Sequence, residues 1–508
     1  MLYILYPISY LLSLTGLILW FYFKENRSMA HRMSSLFLIS FLVYILSLAF
    51  TEAGLAYKLL MLFRDLMILA VISSFFNLIR KHAMVVFIAA MVLYGIIQFA
   101  GFNLLYNTFP EVTASEVPTD DTFELLIETH DGSIPKGYQR LIEKYNLTIQ
   151  PAFAVGDPSL SHLDEFLVAG IPDESEGHIL DIVRDLKRLK GTEDIEYNET
   201  VQVEDDAIDS GATSGAKGPS SDPLTAQQWG WKAIQGDKLF QRFSQQAMQP
   251  KKRALIAIVD SGVDALHEDL VNQFKSSGTD NDRDPLGHGT HCAGIAAAVS
   301  NNGLGIASLA PDASLIQVTS IRVMDSRGFG NEQTIIQGII KAADAGADVI
   351  SLSLGSLTSD SRQRAYDEAV KYANAKGAIV VASAGNSSRN AKGYSPANAK
   401  GIIAVSALAS DERKAPFSNT VQDITYGIAA PGMKILSTYP GSQYKELDGT
   451  SMSAPMVAGL IGMLKAFRPE LTTSEVYEIL NRTGKKLDDG KATGKLIQAA
   501  DALEAVLD

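Results

Sequence analysis

The first 110 residues cannot fold by the same rules as the rest of the chain. Residues 1–23 carry no charged side chain, and 33–51 and 83–102 repeat the pattern. Each run is long enough to cross a hydrocarbon core of about 30 Å as a helix. A further run, 59–79, spans if the adjacent Arg64 and Asp65 lie near one end. A helix is the element that satisfies its own backbone in lipid, so residues 1–110 read as a transmembrane region of about four helices. A cleavable leader would start basic and end at small residues. This chain instead begins Met1-Leu2-Tyr3-Ile4-Leu5, and its first positive charges follow the apolar run.

Lysine and arginine placement sets the expected orientation. The 24–32 loop holds Lys24, Arg27 and Arg32, and the 80–82 loop holds Arg80 and Lys81, whereas 52–58 has only Lys58. The positive-inside rule puts both basic loops in the cytoplasm. With four spans, everything after residue 105 lies outside, and a failed third span would reverse it. The expectation is a multi-pass plasma (inner) membrane protein with its large C-terminal part extracytoplasmic. An anchor needs nothing more, and the lipid bilayer is then a partner. A transporter or sensor would need ionisable residues deep in the spans, where only Arg64 and Asp65 qualify.

At 508 residues the chain implies more than one domain. Its net charge of −13 argues against nucleic acid as a partner. A single cysteine, Cys292, excludes an intramolecular disulfide.

Residues 120–204 alternate short strands (123–129, 147–155, 164–172, 195–204) with amphipathic helices (135–145, 176–190). That order, βαββαβ, predicts a small α+β domain. Gly, Ser, Ala, Asp and Pro then dominate 205–222, the composition of a flexible, cuttable linker. In 223–508, apolar runs of strand length (254–260, 315–323, 348–355, 378–384, 402–407) alternate with helical segments (288–300, 333–345, 362–376, 451–467). Near-continuous apolar strands suit a sheet buried on both faces. The alternation predicts an α/β domain with a doubly wound, mostly parallel sheet, whose active site lies at the carboxyl ends of strands.

Asp260 ends the first of those strands. His288 and Ser451 each open an apolar helix, in Gly287-His288-Gly289-Thr290-His291-Cys292 and in Gly449-Thr450-Ser451-Met452-Ser453-Ala454-Pro455. A serine nucleophile, an imidazole base and a carboxylate that orients the base are the three groups acyl transfer requires. Asn386, near a strand end in Ala384-Gly385-Asn386, supplies a side-chain amide for an oxyanion. The same residues leave a metal reading open, with His288, His291 and Asp260 as ligands, although no HExxH pairing appears.

The motifs Val259-Asp260-Ser261-Gly262, His288-Gly289-Thr290-His291-Cys292-Ala293-Gly294 and Gly449-Thr450-Ser451-Met452-Ser453-Ala454-Pro455 follow the order Asp, His, Ser. In this the chain resembles the subtilisin-like serine peptidases, the subtilases, over about 222–508. The resemblance implies a membrane-anchored serine endopeptidase acting through an acyl-enzyme, with Ser451 as nucleophile, His288 as general base and acid, and Asp260 as orienter. It implies Asn386 as oxyanion donor, and substrate-binding segments at Ser353, Leu354, Gly355 and at Ser383, Ala384, Gly385. It likens 120–204 to a pro-domain that acts as intramolecular chaperone or inhibitor, and it allows self-processing in 205–222. Protein or peptide substrates are implied. No cofactor is needed for the chemistry, but Asp269 resembles a structural calcium ligand, its co-ligands coming from near Gln228 and from the 299–305 loop. A multi-helix anchor departs from the secreted pattern of the family. The competing reading is a catalytically silent scaffold on the same fold at the membrane.

Overall fold

Six buried strands form one parallel sheet, and the positions that matter sit along its carboxyl edge. The computed structural model describes residues 26–49, 122–202, 206–208, 220–358 and 364–507, with isolated positions at 9, 13, 15–17, 19, 20, 23 and 62. The chain divides into two units, Met1–Val117 and Pro118–Asp508.

In the first unit, α1 (Arg27–Ala49) is a 23-residue helix. Its stretch Arg27–Ile45 is long and apolar enough to cross a membrane. Of the other expected spans, 83–102 lies outside the described residues, and 1–23 and 59–79 do so except for isolated positions.

The second unit opens with β1 (Thr122–Thr129), α2 (Gln139–Tyr145), β2 (Thr148–Pro151), β3 (Phe166–Pro172), α3 (Ile179–Lys187) and β4 (Thr192–Tyr197). The four strands pair antiparallel in the order β2-β3-β1-β4. Successive side chains along a strand face opposite ways, so this sheet has two apolar faces. Leu125, Ile127, Leu167 and Ala169 pack with Tyr138 and Leu141 near α2, and with Ile182 and Leu186 of α3. Leu126, Val168, Phe153 and Phe166 face the larger domain instead.

Residues 195–204 do not make one strand. The ladder stops at Tyr197 because Asn198 and Glu199 are used across the interface, where Asn198 Oδ1 accepts from Gln333 N at 2.8 Å and Glu199 O from Glu332 N at 3.0 Å. The chain resumes as β5 (Thr200–Gln202), followed by β6 (Asp206–Ile208), which lies inside the stretch expected to be linker.

The large domain contains β7 (Ala254–Asp260), α4 (His288–Ala297), β8 (Ile316–Arg322), β9 (Phe329–Asn331), α5 (Glu332–Asp344), β10 (Val349–Leu352), β11 (Ser356–Leu357) and α6 (Arg364–Ala375). It continues with β12 (Ile379–Ser383), β13 (Tyr394–Ser395), β14 (Ile403–Leu408), β15 (Gly427–Pro431), β16 (Ile435–Tyr439), β17 (Gln443–Asp448) and α7 (Thr450–Phe467). The sheet runs β15-β14-β12-β10-β7-β8 with every neighbouring pair parallel. Its strand order reverses between β7 and β10, the kind of switch point where ligands bind beyond the strand ends.

One face of the sheet packs on α4 and α7 (Ile256, Ile258 and Val381 against Ala293, Val457 and Ile461). The other packs on α5 and α6 (Val259, Ile350 and Val380 against Ile336, Ile339 and Val370). All residues of α7 are buried, so this helix also passes the length and composition test for a membrane span while serving as the core of the domain. Each buried Leu, Ile or Val contributes about 1.5–3 kcal/mol over exposure, which makes α7 the main apolar anchor of the fold. A cation sits at its end: Lys465 Nζ donates to Gly377 O at 2.9 Å and Leu471 O at 3.1 Å, and burial lowers its pKa. Two shorter pairings complete the frame, β11 with β13 and the ribbon β16-β17.

Candidate active site

The groups singled out in the sequence lie on four elements that end at the same edge of the sheet. Asp260, at the end of β7, is fully buried. His288, the first residue of α4, presents Nδ1 at 2.6 Å from Asp260 Oδ1. Against a carboxylate, Nδ1 carries the proton and Nε2 is left as the basic nitrogen. Ser451, the second residue of α7, donates its hydroxyl to Ser353 O at 3.2 Å, and Ser353 Oγ donates back to Ser451 O at 2.8 Å. This reciprocal pair joins the end of β10 to the start of α7.

The approach of α4 to Asp260 depends on a missing side chain. A Cβ at Gly289 would lie 2.0 Å from Gly262 O and 3.2 Å from Asp260 Cβ. The start of α4 is then fixed by Asp284. Asp284 accepts from Leu286 N (3.1 Å), Gly287 N (2.8 Å), Thr290 N (2.8 Å) and Thr290 Oγ1 (2.6 Å). An acid on the free N–H groups of a helix start satisfies them and complements the helix dipole.

Asn386 follows β12 and is held by its neighbour in the nucleophile motif. Its Oδ1 accepts from Thr450 N at 2.9 Å and Thr450 Oγ1 at 2.8 Å, which fixes the plane of its amide. Asn419 braces the same loop, donating to Ala384 O at 2.8 Å and accepting from Arg389 N at 2.7 Å. Neither Thr450 nor Asn419 had been assigned a role from sequence. Ser353 and Leu354 are buried, Gly355 pairs antiparallel with Gln202, and Ser383, Ala384 and Gly385 line the opposite strand end.

The alternative metal set does not assemble as read. His291 points to Lys445 O, with Nε2 at 3.0 Å, away from Asp260. Among the described residues the set with ligand-like spacing is Asp260, His288 and Cys292, whose donor atoms lie within 4.8 Å. In it the facing atoms of Asp260 and His288 bond each other, and burial pushes the Cys292 thiol up, holding it neutral. A thiol is not a metal ligand in that form. His267 is structural: its Nδ1 accepts from Asp269 N at 3.1 Å and its Nε2 lies 3.0 Å from Gln443 O.

Asp269 is buried beneath the loop after α4. Its oxygens accept from Asn302 Nδ2 at 2.8 Å and Ile306 N at 2.9 Å. Asp222 enters the same loop from the chain ahead of the domain, accepting from Asn301 N at 2.7 Å and Gly303 N at 3.0 Å. Burial pushes the Asp269 carboxyl up to about 7, and the charge of Asp222 adds to it. Two buried acids offer the oxygen donors that a hard cation prefers, while the loop meets them here with the N–H groups of Asn301, Gly303 and Ile306. Gln228 pairs with Ala307 instead, through both its amide oxygen and nitrogen.

Comparison with known proteins covers the same part of the chain. Residues 251–496 match the model of the Subtilase family. The chain is 47% identical over 220 residues to thermitase of Thermoactinomyces vulgaris, covering 42% of this chain and 74% of that protein. It is 39% identical over 247 residues to subtilisin DY of Bacillus licheniformis, covering 47% of this chain and 86% of that protein. Among solved structures it is similar to a protease from Pseudoalteromonas arctica PAMC 21717, with a TM-score of 0.50, 28% identity, and coverage of 57% of this chain and 100% of that one.

Proposed function

Because the chain belongs to the subtilase family and is a subtilisin-like serine endopeptidase, we propose that Ser451, His288 and Asp260 carry its chemistry, with Asn386 as oxyanion donor. The observation that carries this assignment is the 2.6 Å Asp260–His288 bond, with Cys292 Sγ lying 4.0 Å from His288 Nε2 and 3.5 Å from Ser451 O at the start of α7. In the reacting complex the Ser451 hydroxyl turns from Ser353 O to His288 Nε2, which takes its proton as Oγ attacks the peptide carbonyl. The Asn386 amide and the Ser451 N–H hold the tetrahedral oxyanion. His288 then protonates the leaving amine, and water releases the acyl group by the same steps. Asp260 keeps the imidazole in the productive tautomer throughout. Fluorophosphonate labelling of the full chain tests this: the wild type labels, and label retained in Ser451→Ala overturns it.

The strand ends at Ser353–Gly355 and Ser383–Gly385 frame the pocket proposed for the residue before the cut bond. Their small side chains favour a sizeable apolar group there, which peptide-library profiling checks.

The membrane-anchored, extracytoplasmic reading rests on the uncharged runs before residue 110 and the lysine and arginine asymmetry. Leu38, Ile39 and Leu42 of α1, each more than half exposed, are consistent with a lipid-facing surface. Carbonate washing should leave the full chain in the membrane pellet, and its extraction would refute the anchor.

For 122–202 we propose a pro-domain-like role, with self-processing at its end. Support comes from the pairing of the chain on both sides of Ser451. β5 pairs with β9, Gln202 bridges Gly355, and β6 pairs with β17 immediately before Gly449. The bond cut would then lie at the front of the 205–222 linker. Intact mass of the wild type against Ser451→Ala checks it. A calcium ion held by Asp269, Asp222 and the 300–305 loop completes the proposal, as a brace outside the chemistry.

A further inference from the structure

The face where the four-stranded sheet meets α5 and α6 is apolar at its centre and acidic along one side. The apolar part is ordinary packing, reinforced by Gln333 Nε2 to Ala152 O at 2.9 Å and by Gln337, which pairs with Ala154 N at 2.8 Å and Ala154 O at 3.0 Å. The acidic side is not ordinary. Glu332, the first residue of α5, is 3% exposed, and its Oε1 has no hydrogen-bond partner among the described residues. Across from it lie Glu196 of β4, 7% exposed with Oε2 unpartnered, and Glu199 in the turn that leads to β5. Glu128 of β1, 5% exposed, joins the set from the neighbouring strand.

Other acids act on the same place through their charge: Asp194 on Glu196 and Glu128, and Glu193 and Glu165 on Glu128, with Glu165 itself 2.9 Å from His162 Nδ1. Tyr366 of α6, 1% exposed with its hydroxyl unpartnered, faces Glu332, Glu199 and Glu196. Among the described residues the permanent cation at the seam is Arg364, and His162 beside Glu165 is a titratable basic group at its edge. Arg364 Nη2 lies 2.8 Å from Glu128 Oε1 and the Arg364 N–H donates to Glu196 Oε1 at 2.8 Å. The Arg364 side chain is 50% exposed, so it offsets Glu128 only in part and leaves Glu332 facing two acids.

We propose that this acid seam is a proton-dependent clamp: the sheet stays seated on α5 and α6 while its carboxyls hold protons, and loosens as those protons leave. The inference rests on the reading of 122–202 as a detachable pro-domain-like domain. It adds how that domain would be released. β5 begins one residue after Glu199, so loosening the seam frees the segment that pairs beside Gly355.

The direction follows from the carboxyls. Burial pushes Glu196 up to about 8, from 4.5, against the pull of the Arg364 N–H. Burial raises Glu332 well above the ordinary range, and Glu196 and Glu199 raise it further. Glu128 is raised by burial against the opposing charge of Arg364. Undocked and hydrated, these groups return toward ordinary carboxylate values. Docking therefore takes up protons. It is strongest below the undocked values, weakens as pH rises, and ceases to weaken through Glu196 above about 8. Each proton taken up changes the docking equilibrium by about tenfold per pH unit inside that window.

The test is hydrogen exchange on the full chain carrying Ser451→Ala in detergent micelles, from pH 5 to 9, corrected for intrinsic rates. The expected result is that the amides of β1 and β3 open apart from those of β7 and β10, with an opening constant that rises about tenfold or more per pH unit up to pH 8. Glu196→Gln with Glu332→Gln, which keeps shape and removes charge, should flatten that slope. An unchanged slope in this variant, or no slope in its parent, overturns the clamp. If β1 and β3 open separately but independently of pH, the clamp alone falls. If they open only together with β7, the detachable-domain reading falls with it. The slope in the parent decides even if the variant does not fold, and the protonated-carboxyl infrared band of the parent must fade over the same range.

Discussion

Asp284 and Ser261 join the two halves of the proposed catalytic pair: Ser261 Oγ donates to Asp284 Oδ1 at 2.8 Å and accepts from Gly289 N at 3.0 Å. Ser261 follows Asp260 on the strand side, and Asp284 caps the helix that begins with His288. One carboxylate thus sets both ends of the 2.6 Å Asp260–His288 contact. Asp284→Ala leaves three N–H groups and two hydroxyls to find new partners, and should destabilise the chain by about 2–3 kcal/mol. Turnover should fall as well, because His288 loses its frame. Thermal melting and kcat of the same preparations check this, and a melt unchanged from wild type would contradict it.

Asp260→Asn should leave substrate binding intact and cut kcat by about 10⁴, the size of effect known for the equivalent change in another Ser-His-Asp enzyme. An amide in place of the carboxylate donates to Nδ1 and shifts the imidazole proton to Nε2, where the base must be bare. Steady-state kinetics with a peptide ester should show KM within a few-fold and kcat collapsed. A kcat within tenfold of wild type would remove Asp260 from the triad.

Thr450→Val should behave as a milder form of Asn386→Leu. Thr450 holds Asn386 Oδ1 through its hydroxyl at 2.8 Å, a bond valine removes while the N–H contact at 2.9 Å remains. Removing the amide itself should cost about 10²–10³ in kcat, the range observed for this kind of donor in subtilisin. The valine variant should lose about tenfold, because the amide stays but is less well aimed. If both variants keep wild-type kcat, Asn386 is not the oxyanion donor.

The Asp269 carboxyl gives the proposed cation site a pH signature. Its value is raised to about 7, by burial first and by Asp222. In the unfolded chain it ionises near 3.8, so the unfolded state releases this proton earlier. Folding stability without a cation must therefore decline as pH rises from about 4 to 7, and level off above. Calcium binds the ionised form and should cancel the decline. Melting curves in chelator and in millimolar calcium, between pH 5 and 8, should diverge as pH rises, and Asp269→Asn should remove the divergence. Parallel curves would exclude a cation at Asp269.

The six-stranded sheet was largely legible because its strands are buried on both faces and spell continuous apolar runs, such as Ala254–Asp260. β15 escaped because its sequence, Gly-Ile-Ala-Ala-Pro, is short and low in branched side chains. β17 escaped because Gln443–Asp448 is mostly polar, as a ribbon strand exposed on one side can be. Around the site, the strings holding Asp260, His288, Asn386 and Ser451 stand out because each lies at a strand end or helix start with small neighbours. The residues that aim them do not. Asn419 acts on Ala384 from 35 positions away, and Asp284 acts as an organiser only because the chain folds the 282–287 loop over a helix start. A polar side chain in a polar loop carries no local mark of the amides it will meet.

The pairing of β5 and β6 on the two sides of Ser451 has a kinetic meaning. If an incoming peptide uses these edges, as proposed, an intact chain already presents backbone partners to them. A tethered strand acts at an effective concentration in the millimolar range. An outside substrate therefore meets a groove that is open only for the fraction of time the strand is away, and its apparent affinity falls by that fraction. On that proposal the tether would make activity a first-order property of each molecule, which dilution does not release.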